Sequence, residues 1–473
     1  LKHPALPYLT ALTASLALAG CVNLAPTYTT PVAPIPATVG ADAPADPVQA
    51  TAPALEQAQS LTWVQTPALQ QVLALALSHN RDLKIAWANI EKARAQYGVQ
   101  RADLLPTITA SGQGSRNRTS ADLTTSGRAA TTSQFSAQIG FTSYELDLWG
   151  RVRNLNEVAL EQFWQTAVNQ RSVEITLLAD VANAWLTLAA DQARLQLAQD
   201  TLTSRRKAFE LTQRIHALGA TSGLVLAQNQ TTVDSARADV ASFASQVERD
   251  RNALQLLVGG PLPAALLPQA LDGTLPPTAA LLDLPTPLPS SLLLVRPDIV
   301  AAEHSLRGAT ANIGAARAAL FPSISLTASA GSASSALSGL FEGGNGTWSF
   351  LPQVRLPIFD GGRNQANVRV AEANQQLALA QYEKTVQIAF REVADALAER
   401  AHWAERLDAQ SSLVEATQKA LMLSEARFKS GVDNYLSVLD AQRSLYAAQQ
   451  TQISLYLAEQ ANRITLYKVL GGG

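Results

Sequence analysis

Residues 94–106 and 310–322 are two copies of one stretch. Arg94 to Pro106 (RAQYGVQRADLLP) returns as Thr310 to Pro322 (TANIGAARAALFP) at an offset of 216, with Gly98, Arg101 and Pro106 landing on Gly314, Arg317 and Pro322. Asp82 falls on Asp298 at the same offset. Farther along the offset settles at 212, so that Gly150-Arg151 matches Gly362-Arg363, Gly219 matches Gly431, and Val258-Gly259 matches Leu470-Gly471. An offset held across most of each half marks a duplicated structural unit. Its period is far longer than the roughly 20 to 50 residues of a solenoid repeat. The chain must therefore fold as two large, similar units in a quasi-symmetric arrangement.

Two fused copies account for 473 residues, which exceeds one typical core of about 100 to 200. The formal charge of -2, with Lys and Arg scattered, leaves no basic face for nucleic acid. Charged residues are only 16% of the chain, which suits long helices packed through small residues. The one cysteine, Cys21, excludes a disulfide within the chain and metal sites of the cysteine type. It follows Leu18-Ala19-Gly20 at the end of an apolar run from Ala5 to Ala19 that Lys2 precedes. This pattern resembles a bacterial lipoprotein signal, with residues 1–20 removed and Cys21 becoming the lipidated first residue. The alternative is a free thiol buried in an N-terminal helix. No later stretch of about 20 apolar residues occurs, so a membrane crossing would require strands closed into a barrel.

Residues 21–60 are rich in Pro, Ala and Thr and read as an extended tether. Repeat 1 covers 61–260. Trp63 to Ala102 reads as helical, with Leu69, Val72, Leu73, Ala76 and Leu77 on one face, and Pro106 ends it. Alternating segments over about 107–142 then predict a β-hairpin around a Ser/Thr/Gly loop. Repeat 2, residues 291–473, repeats the plan with a hairpin at about 323–358 in which Trp348, Phe350, Val354 and Leu356 alternate with Ser349, Gln353 and Arg355. Strands of about 9 to 11 residues with one apolar and one polar face match tilted membrane-spanning strands. A half-buried hairpin of a soluble domain would show the same alternation. Four strands cannot close a barrel of useful bore, so in a membrane other subunits must supply the rest.

The stretch from about Arg151 to Leu218 has no proline and predicts a single helix of roughly 100 Å. Val181, Leu188, Leu195, Leu202 and Phe209 recur at sevens, as do Leu226, Val233, Val240, Val247 and Leu254 on the return. Sustained heptads on two successive segments predict an antiparallel coiled-coil hairpin over about 151–258, turning near Gly219. The second copy keeps a weaker version over about 363–470, where Gln452 and Glu459 break the returning stripe. Between the copies, 261–290 is a proline-rich linker.

Read in order, Cys21-x-x-x-x-Pro26-x-Tyr28, Asp82-Leu83-x-x-Ala86, Arg101-Ala102-Asp103-Leu104-Leu105-Pro106, Leu148-Trp149-Gly150-Arg151, Arg296-Pro297-Asp298-Ile299, Ile313-Gly314-Ala315-Ala316-Arg317, Phe321-Pro322, Phe359-Asp360-Gly361-Gly362-Arg363 and Gly431-Val432-Asp433-Asn434-Tyr435-Leu436 with Val438-Leu439-Asp440-Ala441-Gln442-Arg443 form a set that resembles the TolC-type outer-membrane factors. The lipoprotein branch, NodT/OprM-like, fits best, and the likeness runs from Cys21 to the C-terminus. It implies a mainly α protein with a membrane β-barrel part: a homotrimer whose chains share a twelve-stranded barrel joined to a long α-helical coiled-coil barrel. It further implies an outer-membrane location extending into the periplasm, contact with outer-membrane lipid and a covalent lipid on Cys21. The partners it implies are a periplasmic adaptor (membrane fusion) protein and an inner-membrane pump of the RND type. The expected function is the passive exit duct of a tripartite efflux pump, with no cofactor and no catalysis. An exit duct of a type I protein or toxin secretion system is the alternative.

A duct needs a gate and a docking tip. Both belong where the coiled coils taper, near the turns at Gly219 and Gly431. Leu436 and Asp440 are four apart on one helical face, so assembly would stack an apolar ring on an acidic ring. The resemblance makes these the aperture positions, with Arg443 and Arg427 as candidates for ion pairs that hold it closed. Leu224 matches Leu436 in the first copy, but Gln228 and Thr231 stand where Asp440 and Arg443 would be, which limits the acidic ring to one carboxylate per chain. Gly219 and Gly431, with Val432, Asp433 and Asn434, form the tips that the resemblance assigns to the adaptor.

Nothing in the sequence favours catalysis. His3, His79, His216, His304 and His402 are isolated, and Glu303-His304 lacks the second histidine of a zinc site. No nucleophile elbow or phosphate loop appears. A surface lipoprotein enzyme or binding module would need a compact pocket with converging polar groups, which helices this long do not make.

Overall fold

A computed structural model describes residues 22–39, 63–268 and 288–472 of the chain. The signal segment 1–20 and Cys21, much of the tether and the middle of the linker lie outside the described residues. The described chain sorts into two compact units.

The first unit comprises residues up to Val32, Asn89–Ala167 and Ala301–Glu383. Its centre is an antiparallel sheet of β2 (Thr109–Thr119), β3 (Ala130–Leu146), β5 (Ser323–Ser334) and β6 (Gly346–Arg355), in the order β2-β3-β5-β6. Each copy supplies one hairpin, and β3 to β5 is the joint between copies, with Ile139 opposite Ala330 and Gly140 opposite Ser329. At 17 residues β3 is longer than the alternation suggested. Its register slips between Phe141 and Tyr144, where Ser143 takes φ 54° and its N–H donates to Thr327 Oγ1 at 3.1 Å. One extra residue there re-aims the lower end of the strand.

Below the sheet, Trp149 stacks on Phe321 (centroids 4.8 Å apart) and donates Nε1–H to the Pro322 carbonyl at 2.8 Å, fixing copy one to copy two. Arg151 binds the Glu145 carboxylate through two bonds of 2.8 and 2.7 Å. The stretch expected as an extended tether is docked over residues 22–28. The Val22 N–H donates to the Leu148 carbonyl (3.1 Å), Asn154 donates to Asn23 (2.8 Å), and the Tyr28 hydroxyl donates to Glu303 (3.1 Å) under the Arg307 guanidinium. Gly314 is what lets Ala25 approach: a Cβ there would lie 2.7 Å from the Ala25 backbone nitrogen and methyl group.

The second unit comprises Ala33–Ala88, Val168–Val300 and Lys384–Gly473. The expected helix from Trp63 to Ala102 is two helices, α1 (Pro67–His79) and α2 (Arg81–Ala102). Asn80 divides them, because its Oδ1 accepts from Leu83 N–H (2.9 Å) as a cap while its Nδ2 donates to the Leu257 carbonyl (2.7 Å). The apolar face of α1, with Leu69, Val72, Leu73 and Ala76 fully buried, packs in one core with Trp185, Leu186, Leu254 and Val258. Burying each of the Leu and Val side chains is worth about 1.5–3 kcal/mol. A short pairing of β1 (Thr38–Val39) with β4 (Leu288–Pro289) adds a second, two-stranded sheet to this unit.

Helix α3 (Arg151–Ala217) is continuous over 67 residues and α4 (Gly223–Val258) returns beside it. Of the heptad positions, Val181, Leu188, Leu202, Val233 and Leu254 are buried and the others are half-buried. The most apolar stretch of α3 is 61% buried in the protein's own core, which marks it as a core helix. In the second copy the outgoing segment after α5 (Pro297–Ala318) breaks at His402 into α6 (Arg363–Ala401) and α7 (Trp403–Lys429), and α8 (Tyr435–Val469) returns. The polar interruption at Glu459 is a buried network in which Glu459 accepts from Arg463 and Gln460, next to Asn462 bound to the Ala396 carbonyl. Buried Arg296 joins the start of α5 to α6 and the end of α8 by bonding Asp298, Glu392 and the Val469 carbonyl.

Candidate functional site: the helical tips and the face of α8

Both helical hairpins turn on a glycine. Gly219 takes φ +72° and Gly431 φ +75°, backbone that costs a side-chain-bearing residue about 1–2 kcal/mol. At the first tip the Ala220 N–H returns to the Ile215 carbonyl, and Ser222 caps α4 by accepting from Val225 N–H. At the second, Val432 N–H returns to the Arg427 carbonyl and Asn434 caps α8 by accepting from Ser437 N–H. Val432, 63% exposed, projects from this knuckle.

The first turns of α8 divide cleanly by face. Tyr435, Val438 and Leu439 are buried against Val225, Leu421 and Phe428, with the Tyr435 and Phe428 rings edge to face at 5.0 Å. Those contacts leave Leu436 (46% exposed) and Asp440 on the outer face, one turn apart. Arg443 lies beside Asp440 at 3.5 Å, both largely solvated. Leu224 is exposed at the start of α4. The sequence-derived gate residues are thus free of the subunit's core.

Arg427, the other candidate for an aperture ion pair, bonds within its own tip. Its guanidinium grips the Asp433 carboxylate of its own tip through two bonds, 2.5 and 3.1 Å, closing the turn. The hydrogen bonds from Arg427, and then its charge, hold the Asp433 carboxyl below the usual carboxylate range. Spacing alone did not reveal this, because the turn at Gly431 folds position 433 back over 427.

Sequence reasoning also missed a polar cluster higher on the same helices. The Tyr446 hydroxyl donates to Asp239 at 3.2 Å, joining α8 to α4. Arg205 of α3 lies over the Tyr446 ring at 5.4 Å and donates to the Thr232 carbonyl at 3.0 Å. Burial lowers the Arg205 pKa and raises that of Tyr446, with Asp239 adding to the latter. A tyrosine in a helix stripe looks like core, and only its acidic neighbour 207 residues away distinguishes it.

Among the described residues no group of three or more His, Cys, Asp or Glu side chains could hold a metal ion. A cleft at the foot of the strands is lined by Leu148, Trp149, Phe321 and Arg363, where the hairpins meet the helices.

A sheet whose two outer edges are unpaired among the described residues, apolar rows on β3 and β6, and long paired helices ending in exposed knuckles define a class: a subunit of an outer-membrane channel made of strands and helices. The family model described as outer membrane efflux protein matches residues 72–260 and again 288–472, and the chain belongs to that family. It is 44% identical over 457 residues to the toluene efflux pump outer membrane protein TtgC of Pseudomonas putida, covering 96% of this chain and 93% of the relative. A solved membrane protein from Pseudomonas aeruginosa superposes with a TM-score of 0.87 at 40% identity, over 95% of this chain and 98% of that one. The open-state MtrE outer membrane channel of Neisseria gonorrhoeae gives 0.83 at 38% identity, over 95% and 98%. The protein is an outer-membrane exit duct of an efflux pump, and its family is one of channel proteins, not enzymes.

Proposed function

We propose that the chain works as a homotrimer, held in the outer membrane by its strands and by lipid on Cys21, and gated at the periplasmic helical tips by Leu436 and Asp440. The observation that carries this reading is the face of α8: an apolar and an acidic side chain one turn apart, kept out of the core while their neighbours fill it. In a trimer each becomes a ring. Three leucines dewet a constriction, and three carboxylates repel one another and attract cations. The tips at Gly219 and Gly431 to Asn434 receive a periplasmic adaptor, which links the duct to an inner-membrane pump of the RND type. Small apolar molecules such as toluene, named for the relative, suit this cargo route. Docking of Val22 and Asn23 at the foot of the strands supports an anchor on the neighbouring Cys21.

The test is single-channel conductance of the purified trimer in planar bilayers. Leu436→Ser with Asp440→Ser is expected to raise resting conductance several-fold; conductance equal to wild type would remove both residues from the gate.

A further inference from the structure

The ladder register sorts the strand residues onto two faces, because directly opposed residues point the same way and faces alternate along a strand. One face carries Phe135 and Ile139 of β3, Leu326 of β5, and Trp348, Phe350 and Val354 of β6. The other carries Gln113, Ser136, Gln138, Thr327, Ser329 and Gln353. In an outer-membrane channel the apolar face meets lipid and the polar face the lumen. The four strands hold four charged residues. Glu145 and Arg355 lie on the polar face, opposite Ser325 and Ser323. Arg116 and Arg118 lie on the apolar one, opposite Ser133 and Thr131, directly above the row in which Gly114 opposes Phe135. Both arginines are exposed, and neither has an ion-pair partner among the described residues.

Their height on the sheet follows from the same ladder. On β5 the apolar face runs from Ile324, opposite Leu146, to Ser334, opposite Phe135, which is ten residues farther on. Ten residues make about 33 Å of strand and about 25 Å of height at the usual tilt, the thickness of the apolar band of a membrane barrel. Arg116 and Arg118 begin where that band stops, at the hairpin end. The opposite strand ends run into helices α2, α3, α5 and α6. Because the helices belong to the periplasmic side, the hairpins point outward, and the two arginines stand level with the headgroups of the outer leaflet. A cation on the lipid-facing surface is costly at mid-bilayer and tolerated at this rim.

Neighbouring polar groups on this face are already satisfied within the chain. Ser332 Oγ donates to the Asn345 carbonyl (2.9 Å), and Ser334 Oγ accepts from Ala336 N–H (3.3 Å). The first hairpin loop carries one charge of each sign, Asp122 and Arg128, and the second carries Glu342. The positive excess at the top of the first hairpin is therefore that of the strand pair, whose Cα atoms are about 7 Å apart along β2. A guanidinium fork matches a phosphate through two parallel bonds. We propose that Arg116 and Arg118 form a phosphate-binding site on the lipid-facing side of the strands for the phosphorylated glycolipid of the outer leaflet, the lipid A part of lipopolysaccharide. The inference rests on the reading that the strands cross the outer membrane, and adds to it the lipid they hold at its outer face.

The full-length protein, extracted from outer membranes in mild detergent, is titrated with bis-phosphorylated lipid A or its dephosphorylated form in EDTA, so that no divalent cation bridges. Bound lipid is counted by native mass measurement. A basic residue near an anionic surface is worth about fivefold in affinity, so Arg116→Gln with Arg118→Gln should weaken binding of the phosphorylated lipid about 25-fold. Arg355→Gln, which removes a charge from the polar face, should leave it unchanged. The dephosphorylated lipid should bind wild type and the double variant equally weakly. Should the double variant fail to reach the membrane, Arg118→Gln alone takes its place, with about a fivefold loss expected. Equal binding of both lipids by wild type, undiminished binding by the variant at 116 and 118, or an equal loss in Arg355→Gln overturns the site. Wild-type protein absent from the outer-membrane fraction would instead overturn the membrane reading beneath it.

Discussion

Leu436 and Asp440 face outward because Tyr435, Val438 and Leu439 face in. That division was legible in the sequence, since a helix assigns faces by spacing alone. Partnerships made across turns or between helices were not. Arg427 meets Asp433 only once the turn at Gly431 has formed, and Asp250 of α4 meets Asp191 of α3 only once the hairpin has packed. Burial, and then the Asp191 carboxyl beside it, push the Asp250 carboxyl up to about 6, against Gln246 and Arg249, which pull it down; Asp191 itself holds Arg194. Oδ1 of Asp250 accepts from Gln246 at 2.8 Å, while its buried Oδ2 has no N–H to accept from. A proton shared with Asp191 would satisfy that oxygen. A carboxyl whose folded pKa lies above its unfolded value of about 3.9 draws a proton into the fold, so its stabilisation is present at low pH and lost as pH rises through about 6. Asp250→Asn removes the charge and supplies a donor. Its thermal midpoint should exceed wild type by a few degrees at pH 7.5, roughly 1–2 kcal/mol after discounting for solvent screening, and the gap should close toward pH 5. A gap independent of pH would refute the shared proton.

At the scale of elements, the heptads foretold the α3–α4 hairpin, because a sustained seven-residue repeat has few other uses. The break at Asn80 was hidden: no proline or glycine marks it, and the bond that fixes it runs to Leu257, 177 residues away. The same holds at His402, where Trp403 is buried beneath the Arg406 guanidinium. The length of β3 escaped for a related reason, since its lower end is set by pairing with β5 from the other copy. The tips are where an element alone carries function. Gly431 needs its positive φ, yet nothing lies within 4 Å of where a Cβ would point. Gly431→Trp should therefore strain the turn by about 1–2 kcal/mol and block the knuckle without unseating the helices. Trimers in the outer membrane at the wild-type level with loss of efflux-dependent resistance is the expected result; retained resistance would free this tip from any docking role.

For the whole molecule the duplication decides most. It gave the chain two hairpins for one sheet and two helical pairs, and the contacts between copies are visible at Trp149 on Phe321 and along β3 and β5. In the proposed trimer the counterpart of that joint would lie between subunits, and a single sequence does not display it, because the two edges sit at opposite ends of the sheet. The described chain has the marks of that gap: free ladder edges on β2 and β6 and bare apolar side chains at Ile358 and Phe359. The central claim is that one chain is a fraction of a tube. Current through planar bilayers, recorded beside the native mass of the same sample, tests it most directly. Particles of three subunits should conduct and single subunits should not; a protein that stays a single subunit, or one that conducts as such, contradicts the account.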